Sequence, residues 1–209
     1  MKIQCLPTST YSSNTFVYYD EDSREGCVID PGGDSDKIIA FLREHGIKVG
    51  RILLTHGHFD HIMAVYDVAE FTGAKIAAGA DECPLLADPG LNLSKQALKT
   101  DFSVTPDITL ADGDTVSVGG AVLRVITTPG HTPGCVCFYN EAEELVFTGD
   151  TLFRESVGRA DLPGGDSQVM EASLRTKLYT LPPGTTVYPG HMQPTTIGHE
   201  IEHNPYVRP

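Results

Sequence analysis

Four side chains able to bind a metal ion fall within one short stretch, Thr55-His56-Gly57-His58-Phe59-Asp60-His61. Imidazole nitrogen and carboxylate oxygen are the donors that zinc and similar divalent cations take. In extended backbone His56 and His58 project to the same side, because strand side chains alternate with a period of two. Asp60 and His61 then fall at the start of a helix, where consecutive side chains diverge by about a hundred degrees. One imidazole pair can serve one ion while Asp60 and His61 reach toward a second beside it. Gly57 allows tight backbone where a side chain would crowd such a site.

Two ions need further donors, and the chain offers them where strands end. Thr128-Pro129-Gly130-His131 presents His131, Thr148-Gly149-Asp150 presents Asp150, and Tyr188-Pro189-Gly190-His191 presents His191. A Gly-His or Gly-Asp pair alone is ordinary turn chemistry. The recurrence of strand, glycine and ligand at three separate places is what carries weight. His45, at a helix end, and His199 and His203, among Glu200 and Glu202, read as surface residues.

The elements that would position these residues are mostly short strands. Strand-like stretches run over 15–19, 26–30 and 51–54, the last leading straight into Thr55. Apolar residues at helical spacing predict a helix over 34–45 stopped by Gly46, and a continuous one from about Asp60 to Phe71 closed by Gly73. Residues 80–106 are polar and Pro-interrupted, and predict a short helix with a loop over one face. Closely spaced strands follow at 108–110, 115–118, 121–126, 135–139 and 145–147, then a helix over 167–178 and a last strand at 186–188. Such an order suits two packed sheets covered by helices on their outer faces, and by composition alone equally a doubly wound sheet, a choice that falls to the motifs.

The 209 residues suffice for one well-buried domain spanning 1–209. The net charge of −13, with no basic cluster, argues against a nucleic-acid partner. No apolar run reaches the length of a membrane span, and the first residues lack the apolar core of a secretory signal, so a cytoplasmic protein without a membrane partner is expected. Five cysteines, an odd number, fit reduced thiols better than a disulfide framework. Cys135 and Cys137 are expected on one face of a strand as buried small hydrophobes. The oligomeric state is not readable at this level.

Taken together, the motifs resemble those of the metallo-β-lactamase superfamily, from Asp30-Pro31-Gly32 to Pro189-Gly190-His191. The resemblance implies an αβ/βα four-layer sandwich of two mixed β-sheets flanked by helices, with the metal site at one edge of the sheets. It implies that His56, His58 and His131 hold a first metal, Asp60, His61 and His191 a second, and that Asp150 bridges them. Zinc suits this donor set, with iron or manganese as alternatives. Asp150 stands where the well-known antibiotic-hydrolysing branches carry Cys or no acidic ligand, which argues against a β-lactamase.

The run Gly149-Asp150-Thr151-Leu152-Phe153 with Val157-Gly158-Arg159-Ala160-Asp161 is similar to the short-form glyoxalase II (hydroxyacylglutathione hydrolase) branch. That likeness implies hydrolysis of a small-molecule acyl thioester such as S-lactoylglutathione. Two cations lower the pKa of a shared water, Asp60 orients it, and Arg159 meets a substrate carboxylate unless it pairs with Asp161. Full-length glyoxalase II has an added helical domain for glutathione, whereas eighteen residues follow His191 here. Alternatives are a mononuclear iron persulfide dioxygenase using His56, His131 and Asp150, a phosphodiesterase, and a non-catalytic metal-binding domain of the same fold.

Overall fold

The structure, a computed structural model, describes residues 1–208. Two six-stranded sheets face each other. The first contains β1 (Lys2–Pro7), β2 (Asn14–Tyr19), β3 (Glu25–Ile29), β4 (Lys48–Leu54), β5 (Lys75–Gly79) and β6 (Ile108–Leu110), arranged in chain order. Its first three strands pair antiparallel and the remaining pairings are parallel. The second contains β7 (Thr115–Val118), β8 (Ala121–Thr127), β9 (Val136–Asn140), β10 (Leu145–Gly149), β13 (Thr186–Pro189) and β14 (Thr195–Thr196), in the order β14-β13-β10-β9-β8-β7. Only its β10–β13 pairing is parallel. A hairpin of β11 (Leu152–Phe153) and β12 (Ser156–Val157) stands apart.

Alternation along the strands builds three apolar layers. On β2, Phe16 and Tyr18 face the second sheet while Val17 and Tyr19 face helices; on β4, Leu53 faces inward and Ile52 and Leu54 outward. The outward set of the first sheet packs on Ile38 and Leu42 of α1 (Ser35–His45) and on Val65 and Val68 of α3 (Val65–Thr72). Cys137, Tyr139 and Val146 of the second sheet pack on Met170 of α6 (Ser167–Ser173) and Ile197 of α7 (Ile197–His203). Each sheet thus buries both faces, giving the four-layer αβ/βα sandwich the motifs imply.

Local departures from the expected elements have visible causes. The helix expected over 60–71 is two, α2 (Phe59–Ile62) and α3, because the Ala64 N–H donates to the Pro31 carbonyl. The helix expected over 167–178 begins at Asp166, whose carboxylate caps Gln168 and Val169, but widens into a π turn at Leu174–Leu178. Residues 80–106 hold a 3₁₀ turn (Ala80–Glu82) and two short helices, α4 (Cys83–Ala87) and α5 (Ser94–Leu98). Strand β9 starts at Val136, so Cys135 lies in the preceding turn, against Thr132, rather than on a shared strand face with Cys137. Strands β1 and β5, the β11–β12 hairpin, β14 and α7 lie outside the expected elements. Among the described residues no helix is long and apolar enough to cross a membrane.

Candidate metal centre

Strand ends of both sheets deliver the candidate ligands to one place. His56 and His58 follow β4, and Asp60 and His61 lie on the single turn of α2. From the second sheet, His131 follows β8, Asp150 follows β10 and His191 follows β13. All seven meet. His58 Nδ1 lies 2.9 Å from His131 Nε2, and His61 Nε2 lies 3.3 Å from His191 Nε2. Between these pairs sits Asp150, 3.4 Å from His61 Nε2 through Oδ1 and 3.6 Å from both His131 Nε2 and His191 Nε2 through Oδ2. Asp60 Oδ2 is 3.3 Å from His191 Nε2. Within the His56, His58, His131 trio and within the Asp60, His61, His191 trio, the donor atoms lie inside 4.8 Å of one another.

Outer hydrogen bonds set the tautomers. The Nδ1–H of His131 donates to the Arg159 carbonyl at 2.6 Å, and that of His191 to the Ser12 carbonyl at 3.2 Å. His61 Nδ1 donates to Asp30 Oδ2 at 3.1 Å. The Thr55 hydroxyl gives its own proton to Asp30 Oδ2 at 2.6 Å, so it accepts from His56 Nδ1 at 3.1 Å. In these four rings Nε2 is turned inward, the arrangement in which a second partner fixes a metal-binding imidazole.

Glycine is required where the walls touch. A Cβ at Gly190 would overlap Asp150 Oδ1 and crowd His61. The expectation for Gly57 needs correcting in its reason: a Cβ there would meet Leu85 and Leu86 at 2.8 Å, so the crowding comes from the apolar floor, not from the ligands.

Burial and like neighbours act differently across the cluster. Burial, then the surrounding imidazoles, hold His56 well below the usual histidine range, and the same causes bring His58 to about 3. Burial also opposes charge on His61, but Asp150, Asp60 and Asp30 outweigh it and raise the ring to about 10. Burial works against an ionised Asp60, yet His61 and His191 pull it well below the carboxylate range.

The donor set fits divalent cations. His56 Nε2 and Asp150 Oδ1 are buried without a hydrogen-bond partner among the described residues, a costly arrangement unless something electropositive meets them. Asp60 and Asp150 add carboxylate oxygens facing imidazole nitrogens, and among the described residues no lysine or arginine makes an ion pair with either.

Arg159 lies on the wall of the cavity but does not enter the cluster. Its guanidinium makes two 2.8 Å bonds to the Asp161 carboxylate, both side chains largely exposed. Two buried carboxylates around the ligands, Asp30 and Glu82, are not among the expected site residues. Asp30 holds Thr55 and His61, and Glu82 holds Gly57, Thr132 and Gly134. Asp30 could have been suspected from its place at the end of β3, whereas nothing near Glu82 marks it. His199, expected at the surface, is partly exposed and bonds Glu155.

Comparison with known proteins places the site in context. Residues 9–191 match the Metallo-beta-lactamase superfamily. Hydroxyacylglutathione hydrolase GloC of Haemophilus influenzae is 31% identical, over 99% of this chain and 98% of its own. Among solved structures, the BLEG-1 B3 metallo-beta-lactamase is 37% identical with a TM-score of 0.93, covering 99% of both chains. TTHA1623 in a di-iron-bound form is 35% identical with a TM-score of 0.85, over 98% of this chain and 100% of that one.

Proposed function

The chain belongs to the metallo-beta-lactamase superfamily, and from that premise we propose that it hydrolyses small-molecule acyl thioesters, in the manner of glyoxalase II, with two divalent cations. His56, His58 and His131 would hold one, Asp60, His61 and His191 the other, and Asp150 would bridge them. Zinc suits so many imidazoles, and iron is its rival, since TTHA1623 is described with two irons. The observation that carries this reading is the set of four histidines whose Nδ1 atoms are occupied by outer acceptors and whose Nε2 atoms converge. The GloC likeness supports the thioester as substrate class.

When bound, such cations lower the pKa of a coordinated water and polarise a carbonyl. The chain's own residues supply the rest. Asp60, kept ionised by its histidine neighbours, accepts a hydrogen bond from the attacking water and orients it. A cavity of about 370 Å³ beside the ligands is lined by Tyr11, Phe59, Leu93, Phe153, Val157 and Leu162, which give the acyl compound an apolar seat. The exposed Arg159–Asp161 pair is weakly held, so Arg159 can turn to a substrate carboxylate.

The likeness to BLEG-1 favours a second reading, hydrolysis of a β-lactam amide, despite the aspartate at position 150. One experiment separates the two. Protein with measured metal content is given thioesters, S-lactoylglutathione among them, and a β-lactam. Thioester turnover is expected, abolished by chelation and by Asp150→Ala together with loss of one metal equivalent. Asp150→Ala with both equivalents and full turnover would refute the bridge. Cleavage of the β-lactam alone would overturn the thioester reading.

A further inference from the structure

The carboxylate of Glu82 is fully buried and lies on neither ligand loop, yet it bonds to both. Its Oε1 accepts from the Gly57 N–H, between His56 and His58, at 2.8 Å. Its Oε2 accepts from the Thr132 hydroxyl, next to His131, at 2.8 Å and from the Gly134 N–H at 2.9 Å. Gly57 follows the first sheet and residues 132–134 precede a strand of the second, so this one side chain spans the gap between the sheets at the edge where the site lies.

We propose that Glu82 is a positioning residue of the metal centre, a buried strut that fixes the separation between the His56–His58 loop and His131. The inference rests on reading those three histidines as ligands. Nothing in the immediate packing asks for a carboxylate: Leu85 and Leu86 of the adjoining helix are apolar. A buried carboxylate is costly to keep without partners, and here each partner belongs to a ligand loop. The backbones are also built to bring it close. A Cβ at Gly134 would overlap the backbone of Asp81 and Glu82, and one at Gly79 would overlap the Gly134 carbonyl. Each carboxylate oxygen faces a backbone N–H, so an amide in either orientation would turn its NH₂ against one. Thr132 also contacts the Cys135 thiol at 2.9 Å, which continues the network into the turn before β9.

A second buried carboxylate supplies the control. Glu200 is equally buried and accepts from Thr195, Glu155 and Asn204, none of them in either loop. Wild type, Glu82→Gln and Glu200→Gln are stripped of metal, and their thermal unfolding is recorded. Cobalt(II) affinity is then measured by chelator competition, along with the visible spectrum of the cobalt-loaded protein. Glu82→Gln should lose about 10- to 100-fold in cobalt affinity and change the ligand-field bands. Glu200→Gln should lower the unfolding temperature and leave affinity and spectrum as in wild type. Equal affinity and an identical spectrum for Glu82→Gln would overturn the proposal. Should Glu82→Gln not fold, Thr132→Val, which deletes one bond of the strut, decides by the same measurements, with a smaller loss expected. If wild type itself takes up no cobalt, the ligand assignment falls with it, whereas binding by wild type and Glu82→Gln alike sinks only the strut.

Discussion

His56, His58 and His131 form the closed half of the site, each no more than 3% exposed, whereas the half with Asp60, His61 and His191 opens to solvent through a quarter-exposed His191 side chain. Electrostatics divide the same way. In the closed half, burial and mutual crowding keep His56 and His58 neutral at ordinary pH. In the open half Asp60, Asp150 and Asp30 surround His61 and keep a proton on it. That proton does what a cation would do: it places positive charge among three carboxylates. His56 and His58 are therefore poised with free lone pairs, whereas a cation entering the open half would have to displace a proton. With the ligands proposed above, the three-histidine trio should fill first and more tightly.

The strongest way to break this comparison is to remove one ligand from each half. His131→Ala should lose both metal equivalents and all turnover, because His131 closes the trio and also faces Asp150. His191→Ala should retain the first equivalent and lose the second. Metal analysis after dialysis against a weak chelator reads both outcomes. One tight equivalent in His131→Ala, with none in His191→Ala, would reverse the order. Asp60→Asn tests the same half by rate: turnover should fall by about 10²- to 10⁴-fold, with the first equivalent kept.

The contrast also explains what could be seen in the chain beforehand. Ligand candidates stood out because they cluster at strand ends behind glycine, and strands such as β2, β4 and β9 because their side chains alternate into two different apolar layers. The division into a neutral half and a protonated half was not visible. It depends on which carboxylates lie within a few ångströms of each ring, a property of packing across two sheets. Asp30 and Glu82 escaped for the same reason, since each acts on loops 25 or more residues away. The break between α2 and α3 depends on the Pro31 carbonyl, which no helical period reveals.

A smaller effect, and a sharper one, lies in the pH dependence of metal uptake. His61 is protonated up to about pH 10 in the metal-free protein, so filling the open half releases its proton. Its apparent affinity should rise about tenfold per pH unit between pH 6 and 8 for each proton displaced. In the closed half, His58 at about 3 and His56, also depressed, have no such proton to lose over that window. Calorimetric titration at pH 6, 7 and 8 in buffers of different ionisation enthalpy should show a steeper pH dependence for the second equivalent than for the first. Equal slopes would remove the electrostatic distinction between the halves.

The smallest expected effect concerns the stability of the metal-free fold. His61 has a folded pKa of about 10 against an ordinary 6.5, so its charge stabilises the native state fully below pH 6.5 and that contribution disappears as pH rises through about 10. Urea midpoints measured in chelator should therefore decline between pH 7 and 10. Metal-loaded protein should show a weaker decline over the same range, because His61 then has no proton to give up. His61→Gln, which keeps a donor toward Asp30 but cannot take up a proton, should flatten the metal-free curve. A metal-free curve that falls just as steeply in His61→Gln would assign the decline to other groups and leave His61 without the role of holding the place of a cation.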